Sequence, residues 1–282
     1  MADCRGRSGH DGDVLRFNPA ALVIAPAVTV AVIAGTPHAQ GAVNTVGVSA
    51  GLQAAKVLSD SMTVGRLPER WTGRSLTRLP THRKVVAMTF DGGANAAGVR
   101  PILRSLSRHD VAATFFVTGD FARGHRAEMR RIVAAGHRVA NHSVNHPDFQ
   151  DLSTRQRVRQ IRTAGRQITA ITGRTPAPWF RFPFGSYDQA AVRTANDLGY
   201  AVMGWTVDTL GWMGTSGGQS VRSVTRKVMA GARPGAIMMM HLGSNPDDGS
   251  TLDAKALPRT LTKLKAAGYG FVTLDEVLAA RS

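Results

Sequence analysis

Two histidines, His142 and His146, stand four residues apart in the stretch Asn141-His142-Ser143-Val144-Asn145-His146. On one turn of helix, two imidazoles at this spacing project from the same face and can clamp a single metal ion. Without context such a pair is more often two solvated or core histidines, so its surroundings decide. His137-Arg138-Val139-Ala140 just ahead reads as a short buried strand, which puts the pair where a strand ends and a helix begins. Other residues able to do chemistry fall in matching places. Asp91 follows the run 84–90, Arg181 ends the run 178–182, Asp208 follows 200–207 and His241 follows 236–240. The C-terminal ends of strands are where parallel α/β folds build their sites, and core histidines placed at random would not select that edge each time. The other histidines fall in the N-terminal segments, helix ends or loops and receive no role. The Met238-Met239-Met240 run reads as core filling.

The elements that must position these groups follow from hydrophobic period. Apolar, β-branched runs at 84–90, 111–117, 137–140, 178–182, 200–207, 236–240 and 271–274 read as strands. Between them lie helical patterns at 99–108, 127–135, 153–171, 189–198, 221–229 and 254–267. In the longest, Val158, Ile161, Ile168 and Ile171 fall at helical spacing with Arg and Gln on the other face. Gly199 stops the helix before it. Strands alternating with helices imply a parallel sheet, and about seven such strands in about 200 residues suggest a barrel rather than an open sheet.

Composition bounds the rest. A chain of 282 residues, 43% hydrophobic and 19% charged, buries a full core and is not globally disordered. The formal charge of +16 favours polyanionic surroundings such as nucleic acid, anionic lipid or acidic cell-wall polymers, although the basic residues are dispersed and no nucleic-acid motif is present. A single Cys4 excludes an intrachain disulfide and a cysteine-based zinc site. Arg5, Arg7 and Arg16 precede the apolar run Ala20–Gly35, which suits a signal peptide with Ala39 as a cleavage point, or an uncleaved N-terminal membrane anchor. The expected organisation is a signal peptide or anchor at 1–39, a Gly-, Ser- and Thr-rich linker at 40–83 and a catalytic domain at 84–282, in a protein exported to the cell envelope or beyond.

From about Val85 to Leu274 the chain resembles the polysaccharide deacetylases of the NodB-homology type, carbohydrate esterase family 4. Five motifs stand in the family's order. Thr89-Phe90-Asp91-Gly92-Gly93 resembles T-F-D-D-G, and His142-Ser143-Val144-Asn145-His146 matches H-[ST]-x-x-H. Arg181-Phe182-Pro183-Phe184-Gly185 resembles R-x-P-[YF]-G, Asp208-Thr209-Leu210-Gly211-Trp212 resembles D-x-x-D-W, and Met239-Met240-His241 stands where the family has L-x-H. The resemblance implies an α/β fold, a distorted (β/α) barrel of NodB type, and metal-dependent removal of acetyl groups from N-acetylglucosamine polymers such as peptidoglycan or chitin.

It also implies roles. His142 and His146 would hold zinc, with cobalt or another divalent ion as alternatives, and Asp91 would take a proton from water. Arg181 would pair with Asp91 and orient it, and His241 would protonate the leaving amine, a task for a group titrating near neutral pH. Phe184 and Trp212 would wall the acetyl pocket or form a sugar platform, unless they are plain core aromatics. Two departures stand out. The family's second acidic residue of the first motif, a metal ligand, is Gly92 here, and that of the fourth, the partner of the acid histidine, is Gly211. The metal shell would be completed by Asp91, by Asn95 on the same loop or by water, and Asp208 would stand in beside His241. A silent glycan-binding protein of the same fold is the alternative raised by those two losses, and hydrolysis of an O-acetyl ester or another non-peptide C–N bond is another. The sequence does not fix the oligomeric state.

Overall fold

A computed structural model of the chain describes residues 67–279. The expected leader or anchor, Cys4 and the expected linker up to residue 66 lie outside the described residues. The chain order is β1 (Ser75–Leu76), β2 (Val85–Gly92), α1 (Val99–Arg108), β3 (Thr114–Val117), α2 (Gly119–Gly124), α3 (Arg126–Ala134), β4 (Arg138–Asn141) and α4 (Thr154–Thr172). It continues through β5 (Trp179–Phe180), α5 (Gln189–Asp197), β6 (Ala201–Met203), β7 (Val207–Asp208), α6 (Val221–Gly231), β8 (Ala236–His241), α7 (Leu252–Ala266), β9 (Gly270–Phe271) and α8 (Leu274–Ala279). The strands run parallel in the order β1-β6-β5-β4-β3-β2-β8-β7, with β9 added to the start of β2. The α/β barrel expected from the sequence is therefore present but incomplete, because β1 and β7 end the path without pairing to each other.

Among the described residues, nine strands replace the expected seven for two reasons. The run 200–207 is two strands: β6 pairs with β5 and β1, and β7 pairs with β8 at the far end of the order. Between them Gly204 N–H donates to Leu76 O at 2.9 Å and Thr206 N–H to Ile237 O at 2.9 Å, so the crossing segment serves both ends of the sheet. The second added strand is β1, in a stretch expected to be linker. Residues 67–83 are part of the domain: Trp71 and Leu79 are buried, and Trp71 meets Trp179 edge-on at 5.6 Å. The strand expected from residue 111 begins only at Thr114, because Val111 N–H closes the end of α1 on Leu106 O.

Alternation along each strand sorts side chains between two layers. On β2, Val86, Met88 and Phe90 join the core under the helices, whereas Val85 and Ala87 join the barrel interior. All eight residues of β2 are buried, as expected of a strand covered on both faces. Thr89 and Asp91 continue the inward series. The same parity runs from Ile237 to His241 on β8, from Trp179 to Arg181 past β5 and from Ala140 to His142 past β4. Four chemistry-bearing residues thus converge inside one end of the barrel. The helix α4 that braces this end starts with a capping box, Ser153 with Gln156, and stops at Gly173 in the left-handed region. No helix among the described residues is long and apolar enough to cross a membrane.

Candidate active site

Arg181 is the base of the site. Fully buried, it donates from Nη1 to Asp91 Oδ1 at 2.5 Å, from Nη2 to Thr89 Oγ1 and Gly204 O at 3.1 Å each, and from Nε to Met203 O at 3.2 Å. Its guanidinium carbon lies 4.1 Å from the centre of the Phe116 ring. A buried cation is tolerable only when paired and hydrogen-bonded, and both conditions hold. Burial pulls the Arg181 pKa down, with the charge of Asp91 opposing it. Asp91 is thereby fixed through one oxygen, and its other, Oδ2, faces His142 Nε2 at 3.7 Å.

His142 is oriented by the backbone beneath it. Its Nδ1 lies 2.9 Å from Arg181 O, and a carbonyl can only accept, so Nδ1 carries the hydrogen and Nε2 keeps its lone pair. Burial lowers its pKa to about 4, against the opposing charge of Asp91. His146 is also pulled down, mainly by burial. The two rings stand edge to face with centres 4.8 Å apart. They do not share a turn of helix, as the four-residue spacing suggested. Asn141 Oδ1 accepts from Ser143 N–H at 3.0 Å, Ser143 Oγ accepts from His146 N–H at 3.1 Å, and Ser143 and His146 adopt φ of 70° and 62°. Side chains that capture local N–H groups compete with helix formation, and here they win.

Asn95 does not join the histidines. Its Oδ1 accepts from Ser244 N–H at 2.9 Å and Ala97 N–H at 3.1 Å, and its Nδ2 donates to Ser244 O at 3.2 Å. The amide ties the loop after β2 to the loop after β8, and the expectation that it completes a metal shell is corrected. Nor does position 92 face the interior: a Cβ on Gly92 would meet Leu242 Cδ1 at 2.7 Å and Val117 Cγ1 at 3.4 Å, in the layer under the helices. Among the described residues no three His, Cys, Asp or Glu side chains form a ready metal cluster. The donor chemistry still fits a divalent ion: two neutral imidazoles with ring centres 4.8 Å apart, one with its free nitrogen fixed by a carbonyl.

His241 stands beside Asp91 as its register partner on the neighbouring strand. Burial pulls its pKa down, but the hydrogen bond and charge of Asp253, with Asp91 and Asp208 further off, outweigh that and leave it raised. Asp253 Oδ2 lies 3.3 Å from His241 Nδ1. The carboxylate expected in that place was Asp208. Its Oδ1 instead accepts from Leu210 N–H at 2.8 Å within its own turn, and burial raises its pKa. Phe184 and Trp212 are the exposed large hydrophobic side chains among the described residues, at 69% and 50%. Phe184 stands edge-on to His146 at 4.4 Å, and Trp212 lies 6.4 Å from His241, so they border the candidate site and are not core aromatics. Sequence reading missed Asp253 and Thr89. An acidic residue in the first turn of a helix reads as a partner of the helix dipole, and a threonine inside a strand as filler.

The buried His142 makes acid stability predictable in the metal-free protein. Above the ordinary histidine pKa both folded and unfolded chains hold it neutral. As pH falls toward about 4 the unfolded chain binds a proton that the folded one refuses. Stability is therefore full above about pH 6.5 and falls between there and pH 4, by on the order of 3 kcal/mol for this group. Urea midpoints at about pH 7 and about pH 5 check it, and an unmoved midpoint contradicts it.

Comparison with known proteins places this geometry in company. Residues 78–203 match the family described as polysaccharide deacetylase. A chitooligosaccharide deacetylase of Sinorhizobium fredii is 33% identical over 191 residues, covering 68% of this chain and 87% of that one. The peptidoglycan-N-acetylglucosamine deacetylase PgdA of Listeria monocytogenes is 37% identical over 194 residues, which cover 69% of this chain but only 39% of that protein. Among solved structures, a CE4 family pseudoenzyme from Bacillus anthracis superposes with a TM-score of 0.66 at 31% identity, covering 73% of this chain and 69% of that one.

Proposed function

Since this chain belongs to the polysaccharide deacetylase family, we propose that it hydrolyses the acetamide of N-acetylglucosamine units in a polysaccharide, peptidoglycan or a chitin-like polymer. The observation that carries the reading is a double pairing: Asp91 and His241, register partners on adjacent strands, each have a dedicated buried partner of opposite charge in Arg181 and Asp253. His142 and His146 would hold a divalent ion, zinc before cobalt. Bound there, such an ion would supply Lewis-acid chemistry, polarising the acetyl carbonyl and acidifying water. Asp91, with Oδ1 taken by Arg181, has Oδ2 left to accept the proton of the attacking water. His241, whose pKa is raised by the facing Asp253, would give its proton to the departing amine. Phe184 and Trp212 offer apolar faces on either side of the cleft for sugar rings. The N-terminal apolar run supports export as the setting of this activity.

The test is acetate release from N-acetylglucosamine oligomers by the purified protein, stripped of metal and then given zinc or cobalt. A second reading, a glycan-binding protein without turnover, draws on the missing third ligand side chain among the described residues. Binding of the oligomers with no acetate released under either condition would establish it. Within the hydrolase reading, His241→Ala is expected to lower kcat by about 10²- to 10⁴-fold with metal content unchanged, since its work is proton donation. Parental turnover at neutral pH would remove it from the mechanism.

A further inference from the structure

We infer that Asp253, at the start of α7, is the positioning carboxylate of His241 and delivers from a helix the group that residue 211 does not carry. The inference rests on the reading of His241 as the proton donor. Asp253 is 3% exposed, and its Oδ2 holds His241 twice, accepting from its backbone N–H at 2.9 Å and facing its Nδ1 at 3.3 Å. Two contacts from one oxygen to one residue set the ring relative to its own strand. The carboxylate accepts from Nδ1–H, which leaves Nε2 as the nitrogen that exchanges protons. Oδ1 of Asp253 is buried without a hydrogen-bond partner, so the carboxylate is not held there by a wider network.

Gly211 explains where that carboxylate sits. A Cβ added at 211 would lie 2.3 Å from Asp253 Oδ1, 2.4 Å from Cγ and 2.6 Å from Oδ2. The whole carboxylate fills the volume that a side chain at 211 would enter. Gly211 is not among the residues with positive φ, so its backbone does not require glycine, and the volume does. Positions 211 and 253 are thus alternative sources of one anion, of which the fold admits one at a time. Asp208 is no rival, since its carboxylate serves the Leu210 N–H. The charged or titratable groups around His241 are Asp253, Asp91 and Asp208, with His146 on the facing loop.

The test uses the full chain. Asp253→Asn keeps the shape and removes the charge. It is expected to lower kcat by about 10²-fold, the upper end of the range for losing a hydrogen-bond partner that orients a functional histidine, with KM within about twofold and zinc content unchanged. The alkaline limb of the pH profile should move to lower pH, because the imidazolium loses its facing anion. An NMR titration of the His241 ring should move the same way whether or not the protein turns over. The double variant Asp253→Ala with Gly211→Asp returns a carboxylate to the same volume from the other segment, and should recover at least about tenfold in kcat over Asp253→Ala. Unchanged kcat and an unchanged His241 titration in Asp253→Asn, or a folded double variant no more active than Asp253→Ala, would overturn the inference. A parent protein that releases no acetate would defeat the hydrolase reading instead, and the ring titration would still decide the pairing.

Discussion

Asp91→Asn is expected to lower turnover by about 10³-fold or more, near the upper part of the range for loss of a general base. The substitution keeps the shape of the side chain, and its amide oxygen can still accept from Arg181 Nη1 as Asp91 Oδ1 does. What it removes is the ability of the second atom, beside His142 Nε2, to take a proton. It also leaves the guanidinium of Arg181 buried without a countercharge, so the melting temperature should fall with an underlying loss of about 3 kcal/mol. Metal affinity should stay within a few-fold of the parent. Turnover close to the parent's would dismiss Asp91 as the base. A large loss of metal affinity would make Asp91 a ligand and leave the base unidentified.

His142→Ala and His146→Ala should each lose bound metal and activity together, because each removes half of the imidazole donors. An affinity loss of at least about 10²-fold is expected, with activity returning in part at high zinc concentration. The two variants should differ in stability. His142 is buried and bonded to Arg181 O, so its removal leaves a cavity and an unpaired carbonyl under the site. His146 makes no such bond to the scaffold, and its replacement should be the milder of the two. Metal content equal to the parent's in both variants would sink the metal assignment.

Much of this arrangement was legible in the chain because strand parity is a sequence property. Inward Val85, Ala87, Thr89 and Asp91 alternate with outward Val86, Met88 and Phe90, and 237, 239 and 241 repeat the rule. The α1 helix begins and ends at the residues its period indicated. Legibility failed where side chains redirected the backbone or where distant segments met. Asn141 and Ser143 turned the histidine loop away from a helix, and no period announces such a turn. The Tyr200–Val207 run is interrupted only by Gly204 and Thr206, too little to reveal that it passes from one end of the strand order to the other. Asp253 could not be assigned, because only the tertiary approach of α7 to β8 brings it to His241. Gly92 and Gly211 looked like parallel losses. In the fold one faces a leucine and the other faces a carboxylate, so only the second has been made good.

The register of β2 against β8 has one more consequence. Asp91 and His241 are matched Cα partners on adjacent parallel strands, and Leu242 N–H donates to Asp91 O at 2.9 Å just beyond them. The spacing of these two groups is therefore a property of the sheet, set by the roughly 4.8 Å between neighbouring strands. Phe184, Trp212 and His146 ride on turns with left-handed residues at Phe184, Leu210 and His146. On the proposed reading, the sheet sets the spacing of the two proton carriers, and the turns carrying Phe184 and Trp212 set what meets the glycan. Transplanting the turns around Phe184 or Trp212 from a relative would change which glycan is gripped while the two proton carriers kept their separation. Reworking the strands could not do the reverse.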